Sequence, residues 1–161
     1  MQRGAGAVGK LGSGCAQSSG DTISGQSQCV GKRRQKRRRE TMKRLRILLV
    51  EDDGNISALI VELLADMGHD VCTIATTERE AVSAAERLCP DLMIVDVRLR
   101  EGGGVPAMAK ILRRTAMPHI FMTGGSRQGI PDDAAVLQKP FGTTHLTAAL
   151  TSVASQIAIA T

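Results

Sequence analysis

The sequence has very few aromatic residues, with two Phe and neither Trp nor Tyr among 161 residues. Its core must therefore be built from aliphatic side chains, and the length suits a single domain. The four cysteines form no Cys-x-x-Cys pair and no His lies at zinc-ligand spacing, so we expect a reduced, cytoplasmic chain. No apolar stretch approaches the roughly 20 residues of a membrane span, and the N-terminus lacks the apolar region of a secretory signal.

Acidic residues are scarce at the start of the chain. Residues 1–41 contain nine Lys or Arg against two acids, a net charge of +7, whereas residues 42–161 contain twelve against fourteen, a net charge of −2. Residues 1–31 are rich in Gly, Ser and Gln without a helical or strand period, which is typical of disorder. We therefore divide the chain into a disordered basic tail, residues 1–44, and a folded domain, residues 45–157.

The basic run at residues 32–39 leaves three interpretations open. It can bind nucleic acid through phosphate neutralisation and counterion release, or it can be an inert, solvated tail. Met42-Lys43-Arg44-Leu45 also looks like a natural start immediately before the first strand, in which case residues 1–41 are a mis-called upstream extension. Nucleic-acid binding is the least favoured of the three.

From Arg46 onward, strand-like and helix-like segments alternate, which predicts βαβ units and a parallel sheet. The predicted strands are residues 46–50, 71–75, 92–95, 119–122 and 134–138. The connection between the last two, residues 124–135, has twelve residues with three Gly and one Pro. That length is close to the minimum for a parallel crossover, so we expect the fourth helix to be short or absent.

The helices are predicted from apolar residues at i, i+3 and i+4 spacing. Thr77-x-x-Glu80 predicts a capping box, Gly68 follows a helix end, and Thr143 or Thr144 is expected to cap the last helix. The predicted apolar faces are, in chain order, Ile56, Leu59, Ile60, Leu63, Leu64 and Met67; Met108, Ile111 and Leu112; and Leu146, Ala149, Leu150, Val153 and Ile157.

Polar residues follow four of the predicted strands: Glu51-Asp52-Asp53, Asp96, Thr123 and Lys139-Pro140. The carboxyl ends of parallel strands meet at one edge, where ligands bind in open α/β sheets. Mg²⁺ prefers oxygen ligands and takes one or two carboxylates directly. An Asp can accept a phosphoryl group covalently, while Mg²⁺ and a Lys offset its charge. A helix N-terminal acidic cluster explains the first triplet alone but not the other strand ends.

Taken together, these motifs resemble the response-regulator receiver domain of two-component signalling over residues 45–157. Residues 47–52 resemble the first strand and acidic pair of that family, and residues 94–96 its phosphoacceptor strand. Residues 122–124 resemble the segment with the switch hydroxyl, and residues 138–141 the segment with the lysine and proline. Residues 121–125, Phe-Met-Thr-Gly-Gly, further resemble the single-domain receivers with a Phe-Ala-Thr-Gly motif from alphaproteobacteria.

The resemblance implies a flavodoxin-like, doubly wound α/β fold with a five-stranded parallel sheet of order 2-1-3-4-5. It implies that Asp96 is the phosphoacceptor, assisted by Thr123 and Lys139, and that the donor is a sensor histidine kinase or a histidine phosphotransfer protein. It further implies a cis bond before Pro140. The implied Mg²⁺ ligands are Glu51, Asp52, Asp96 and the backbone carbonyl of Arg98, with Asp53 outside the direct ligands.

Two departures from the family pattern concern the output and a loop. Val136 stands where the family has its aromatic switch residue, and residues 99–104 lack the frequent proline. We therefore expect no aromatic switch, and instead a change of order in residues 124–133 when the site is phosphorylated.

We expect a stand-alone response regulator, not an enzyme, that controls a protein–protein interaction or serves as a phosphate sink. A homodimer is possible and the downstream target is open. The alternatives are a nucleic-acid-associated regulator using the basic tail and a Mg²⁺-dependent phosphohydrolase. The phosphohydrolase is disfavoured because it needs a second Asp two residues beyond Asp96, where Arg98 stands.

Overall fold

The structure is a computed structural model and describes residues 43–159, with side chains as far as residue 153. Its strands are β1 (Arg46–Val50), β2 (Asp70–Ala75), β3 (Leu92–Asp96), β4 (His119–Thr123) and β5 (Ala135–Gln138). Its helices are α1 (Gly54–Asp66), α2 (Glu78–Leu88), α3 (Gly104–Leu112) and α4 (Thr143–Ile159). The predicted disordered tail, apart from Lys43 and Arg44, lies outside the described residues.

The five strands form one parallel sheet in the order β2-β1-β3-β4-β5. This is the flavodoxin-like order with its reversal between β1 and β3, so the predicted fold and strand order are confirmed. The central strand β3 is buried at every residue, as expected for a strand with helices on both faces. Among residues 43–159, no helix is both long and apolar enough to cross a membrane.

Successive residues of each strand feed two apolar layers, one on each face of the sheet. In β1, Leu48 and Val50 join the layer beneath α2 and α3. Ile47 and Leu49 join the opposite layer, beneath α1 and α4. Nearly all buried side chains are aliphatic, and Phe121 is the one aromatic ring in the buried apolar core of the described residues.

The chain between β4 and β5 contains turns and no helix, so the prediction of a short or absent fourth helix is confirmed. Ile130 from this connection is only 8% exposed and joins the layer beneath α2 and α3. Ile130, with the half-buried Ala134, therefore covers part of the sheet face where a longer crossover would place a helix.

Three local predictions were wrong. Leu59 and Leu112 were expected to pack inward but are 54% and 44% exposed. Leu59 precedes the buried Ile60, and Leu112 follows the buried Ile111. Adjacent residues lie about 100° apart around a helix, so these two leucines fall outside the narrow face that the sheet covers. The start of α4 also differs, because Leu146 N–H bonds the Gly142 carbonyl, so Gly142 precedes the helix instead of a threonine cap.

Two predicted helix ends are confirmed. Gly68 adopts a φ of +85° just past α1, and its N–H bonds the Ala65 carbonyl in the geometry that ends many helices. Thr77 Oγ1 accepts the Glu80 N–H at 3.2 Å. The Glu80 carboxylate, however, accepts the backbone N–H of Thr76 at 2.8 Å, so the reciprocal bond of the capping box is displaced by one residue.

Candidate functional site

The polar side chains named from the sequence converge at the carboxyl edge of the sheet. Asp96 ends β3, Thr123 ends β4, and Glu51 and Lys139 directly follow β1 and β5. The register sets Asp96 beside Met122, so Thr123 lies one residue further along the neighbouring strand. The peptide bond between Lys139 and Pro140 is cis, as the resemblance implied.

Three carboxylates form a compact oxygen-rich group at this edge. Glu51, Asp52 and Asp96 each offer one oxygen atom, and these atoms all lie within 4.8 Å of one another. Glu51 is 2% exposed and Asp96 9%. Like charges this close disfavour ionisation unless cations neutralise them, and carboxylate oxygens suit Mg²⁺, which keeps several waters. The donor set therefore fits a hard divalent cation.

Lys139 joins two of these carboxylates. Its Nζ donates to Glu51 Oε2 and to Asp96 Oδ2, each at 2.6 Å. Burial raises the pKa of Glu51, and the hydrogen bond from Lys139 opposes this only in part. For Lys139 itself, burial acts to lower the pKa, but the hydrogen bonds to Asp96 and Glu51 outweigh it and raise the pKa. Lys139 is therefore a fixed cation shared by Glu51 and Asp96.

Asp52 has a different cationic partner, Arg100. One oxygen of Asp52, Oδ2, accepts the backbone N–H of Arg100 at 3.0 Å and lies 3.2 Å from its Nε. No sequence motif indicated this contact, because the two residues lie 48 positions apart and no periodic pattern links the β3–α3 loop to the end of β1. For residues 99–104, the sequence indicated a Gly-rich loop without the family's frequent proline, but no contact with Asp52.

Asp53 lies beside the carboxylate group and not within it. Its Oδ1 accepts the N–H groups of Asn55 and Ile56 at 2.8 and 3.2 Å, which caps α1. These bonds, that from Ile56 first, lower the pKa of Asp53. Its own N–H donates to Glu51 Oε1 at 3.2 Å, so Asp53 orients Glu51 through the backbone. The acidic triplet thus serves both the carboxylate group and the helix N-terminus.

Thr123 and Arg98 border the same edge. Thr123 is 2% exposed, and its Oγ1 accepts the Gly125 N–H at 3.2 Å and donates to the Ser126 carbonyl at 3.4 Å. The backbone N–H of Arg98 donates to Asp96 Oδ1 at 3.0 Å. A Cβ added to Gly124 would lie 3.7 Å from Arg98 Nη2, so the guanidinium lies beside the start of the β4–β5 connection. A metal-binding role for the Arg98 carbonyl stays a prediction.

Two residues that anchor the loop after Asp96 were also missed. Glu78, at the start of α2, accepts the Gly103 N–H on Oε2 at 3.2 Å, and its Oε1 lies 2.5 Å from Lys110 Nζ. The hydrogen bond from Lys110 is the main cause that lowers the pKa of Glu78. Gly104 lies so close to Asp96 that an added Cβ would be 1.9 Å from the Asp96 carbonyl oxygen. The Gly-rich sequence indicated a loop but not these contacts.

This sheet edge and its side chains define a receiver domain, and comparison with known proteins agrees. The response regulator receiver domain family model matches residues 47–151. The chain therefore belongs to the response regulator receiver domain family, the signalling domain of two-component systems. Receiver domains generally bind Mg²⁺ at an acidic pocket, and the group formed by Glu51, Asp52 and Asp96 corresponds to such a pocket.

Several characterised relatives are longer than the matched region. The transcriptional regulatory protein PdtaR of Mycobacterium tuberculosis is 31% identical over 111 residues, which cover 65% of this chain and 54% of PdtaR. The phyllosphere-induced regulator PhyR of Methylorubrum extorquens is 31% identical over 110 residues, which cover 65% of this chain and 41% of PhyR. The crystal structure of PhyR from Brucella abortus matches with a TM-score of 0.64 and 28% identity, over 73% of this chain and 52% of that one. The chain thus spans about half the length of these relatives.

Proposed function

We propose that the protein is a response regulator in which Asp96 accepts a phosphoryl group from a sensor histidine kinase or a histidine phosphotransfer protein. The observation that carries the proposal is the environment of Asp96, a buried carboxylate at a strand end that shares Lys139 with Glu51. In the reaction, a carboxylate oxygen of Asp96 attacks the phosphorus of the donor's phosphohistidine. The new O–P bond forms as the P–N bond breaks and the imidazole leaves.

Each surrounding group has a role that follows from its position. Lys139 and the Thr123 hydroxyl are the donors available to the oxygens of the transferred group, and the Arg98 N–H holds the second oxygen of Asp96. Glu51, Asp52, Asp96 and the Arg98 carbonyl would hold Mg²⁺, which offsets the negative charge on the phosphoryl group when it is bound. Asp53 would keep Glu51 oriented through its backbone N–H.

The output proposed here is a protein–protein interaction controlled through residues 124–133. Val136 has a short, χ1-stiff side chain, so it cannot report phosphorylation by turning a ring. Thr123 already bonds Gly125 and Ser126, so a hydroxyl that turns to a phosphoryl group must change these loop contacts. Order–disorder of a loop is an established switching mode, and a phosphate sink without output is the competing possibility.

The test of phosphoryl acceptance is the Asp96→Asn variant. The change removes one nucleophilic oxygen and almost no volume, so the domain should fold while phosphorylation is lost. The full chain is incubated with acetyl phosphate and Mg²⁺ and then run on a phosphate-affinity gel. Asp66→Asn is the matched control, because it makes the same change on an exposed carboxylate at the far end of α1.

The expected result is a shifted band for the wild type and for Asp66→Asn, and none for Asp96→Asn with an unchanged circular dichroism spectrum. A shifted band that persists in Asp96→Asn would rule out Asp96 as the acceptor. Incubation with purified histidine kinases from the host then identifies the donor.

A further inference from the structure

We infer that the Arg100 side chain, which pairs with Asp52, competes with the divalent cation for this carboxylate and so lowers the cation affinity of the site. We call this ion pair the latch. The inference rests on the proposed function, since it concerns the same carboxylate group. No sequence motif indicated Arg100, and the role inferred for it is in the unphosphorylated protein.

Arg100 contacts Asp52 through two groups, its backbone N–H and its side chain. The Arg100 backbone N–H and its Nε both reach Asp52 Oδ2, at 3.0 and 3.2 Å. Asp52 is 14% exposed, so its carboxylate has little water to replace a lost partner. The backbone contact anchors the loop after Asp96, and the guanidinium adds a positive charge at a carboxylate that the cation would use.

The charges of the group show why Arg100 acts as a competitor. Lys139 is shared by Glu51 and Asp96, and Arg100 pairs with Asp52, so every carboxylate of the group already has a cationic partner from the protein. A divalent cation bound among the three oxygens would face both positive charges at short range, and this repulsion weakens its binding.

Of the two cationic partners, Arg100 is the one that can leave. Lys139 has a side chain that is 17% exposed and is held by two hydrogen bonds of 2.6 Å. The Arg100 side chain is 81% exposed and has one side-chain contact with Asp52. It can therefore turn into solvent without breaking another bond, while its backbone N–H keeps the loop in place.

The size of the effect follows from the exposure of the Arg100 side chain, which is 81% exposed. Exposed ion pairs alter an equilibrium constant by a factor of about two to five. Removing the guanidinium should therefore lower the Mg²⁺ dissociation constant by about that factor at low ionic strength. The gain should shrink in about 1 M salt, because screening weakens an exposed pair more than a buried one.

The experiment measures Mg²⁺ binding to the unphosphorylated full chain by isothermal titration calorimetry. The variants are Arg100→Met, which keeps the apolar stem and the backbone N–H, and Arg87→Met as a charge-matched control. Arg87 is exposed in the last turn of α2, at the opposite end of that helix from Glu78, which contacts the loop after Asp96. Both variants lose one positive charge, so the comparison corrects for net charge and tests the contact of Arg100 with Asp52.

We expect tighter Mg²⁺ binding in Arg100→Met than in Arg87→Met, and a shift of the Arg100 Nε–H resonance when wild-type protein is saturated with Mg²⁺. Equal affinities in the two variants, or an unmoved Nε–H resonance, would overturn the latch while Asp96 phosphorylation could still proceed. Absence of Mg²⁺ binding in the wild type would instead overturn the proposed cation site, and the latch with it.

Discussion

At the scale of single residues, Gly104 shows how little space the site leaves behind Asp96. An added Cβ would lie 1.9 Å from the Asp96 carbonyl oxygen and 2.7 Å from Val95 Cγ1. Both atoms belong to the buried central strand, whose backbone is held by neighbours on two sides. The need for glycine here is one of space, since Gly104 begins α3 and is not among the positive-φ residues.

Gly104→Ala should therefore destabilise the domain by more than about 2 kcal/mol, because overpacking against a fixed backbone cannot be relieved by a rotamer change. It should also reduce phosphorylation, since the strand that moves carries Asp96. Urea unfolding measures the first effect. Gly54→Ala is the control, because nothing lies within 4 Å of an added Cβ there, and its free energy of unfolding should be unchanged or slightly higher. Equal stability of the two variants would contradict the argument.

His69 provides a second prediction at the residue scale. It is 6% exposed, its Nδ1 accepts the Leu45 N–H at 3.4 Å, and burial lowers its pKa below the usual 6.5. Asp70, the next residue along the chain, pairs with Arg44 on the surface. As the pH falls, His69 therefore takes up a proton at a higher pH in the unfolded chain than in the folded domain.

The free energy of unfolding should accordingly fall as the pH drops below 6.5, and stop falling once His69 is protonated in the folded state. Urea unfolding at pH 7.5 and 5.5 measures this loss, which should be smaller in His69→Gln. His145→Gln is the matched control, because His145 is exposed to solvent. An unchanged dependence in His69→Gln would show that other groups cause it.

At the scale of elements, the sequence predicted the sheet and most of the site for one reason. Each apolar run ends in a polar residue, and parallel strands bring such ends to one edge, which placed Asp96, Thr123 and Lys139 together. The contacts of Arg100 and Glu78 were not predictable, because they join loops and helix ends that share no period. Leu59 shows the same limit, since helical spacing indicates an apolar face but not how much of it the sheet covers.

The β4–β5 connection is the element expected to respond to phosphorylation. Thr123 Oγ1 bonds Gly125 and Ser126, while Ile130 is buried in the layer beneath α2 and α3. If the Thr123 hydroxyl rotates towards a phosphoryl group on Asp96, Gly125 and Ser126 lose their bonds to it. The buried side chain of Ile130 takes part in neither of these bonds, so we expect it to stay in place.

Backbone NMR with Mg²⁺ and beryllofluoride, a phosphoryl mimic, should therefore shift the amides of Gly125 and Ser126 more than that of Ile130. Asp96→Asn under the same conditions is the control and should show neither shift. If no amide of residues 124–133 changes in shift or mobility in the wild type, the output proposal fails and the phosphate-sink alternative gains support.

At the scale of the whole molecule, the described residues form two apolar layers, one on each face of the sheet. Their buried members among the described residues run from Leu45 to Val153. Residues 1–41 carry a net charge of +7, against −2 for the remainder. The basic sequence pI of about 9.4 therefore comes from the charges of residues 1–41 and not from those of the receiver domain.

A chain beginning at Met42 should consequently melt at the same temperature as the full chain. Residues 1–41 are rich in Gly, Ser and Gln and repel one another through their positive charge, so they have little to contribute to a folded core. A docking contact worth about 1 kcal/mol would raise the melting temperature by roughly 3–6 °C in a domain of this size, which calorimetry resolves easily. A drop of that size on deletion would mean that the N-terminal residues pack on the domain. A salt-sensitive gel shift of DNA that disappears on deletion would instead assign them the nucleic-acid role that their charge permits.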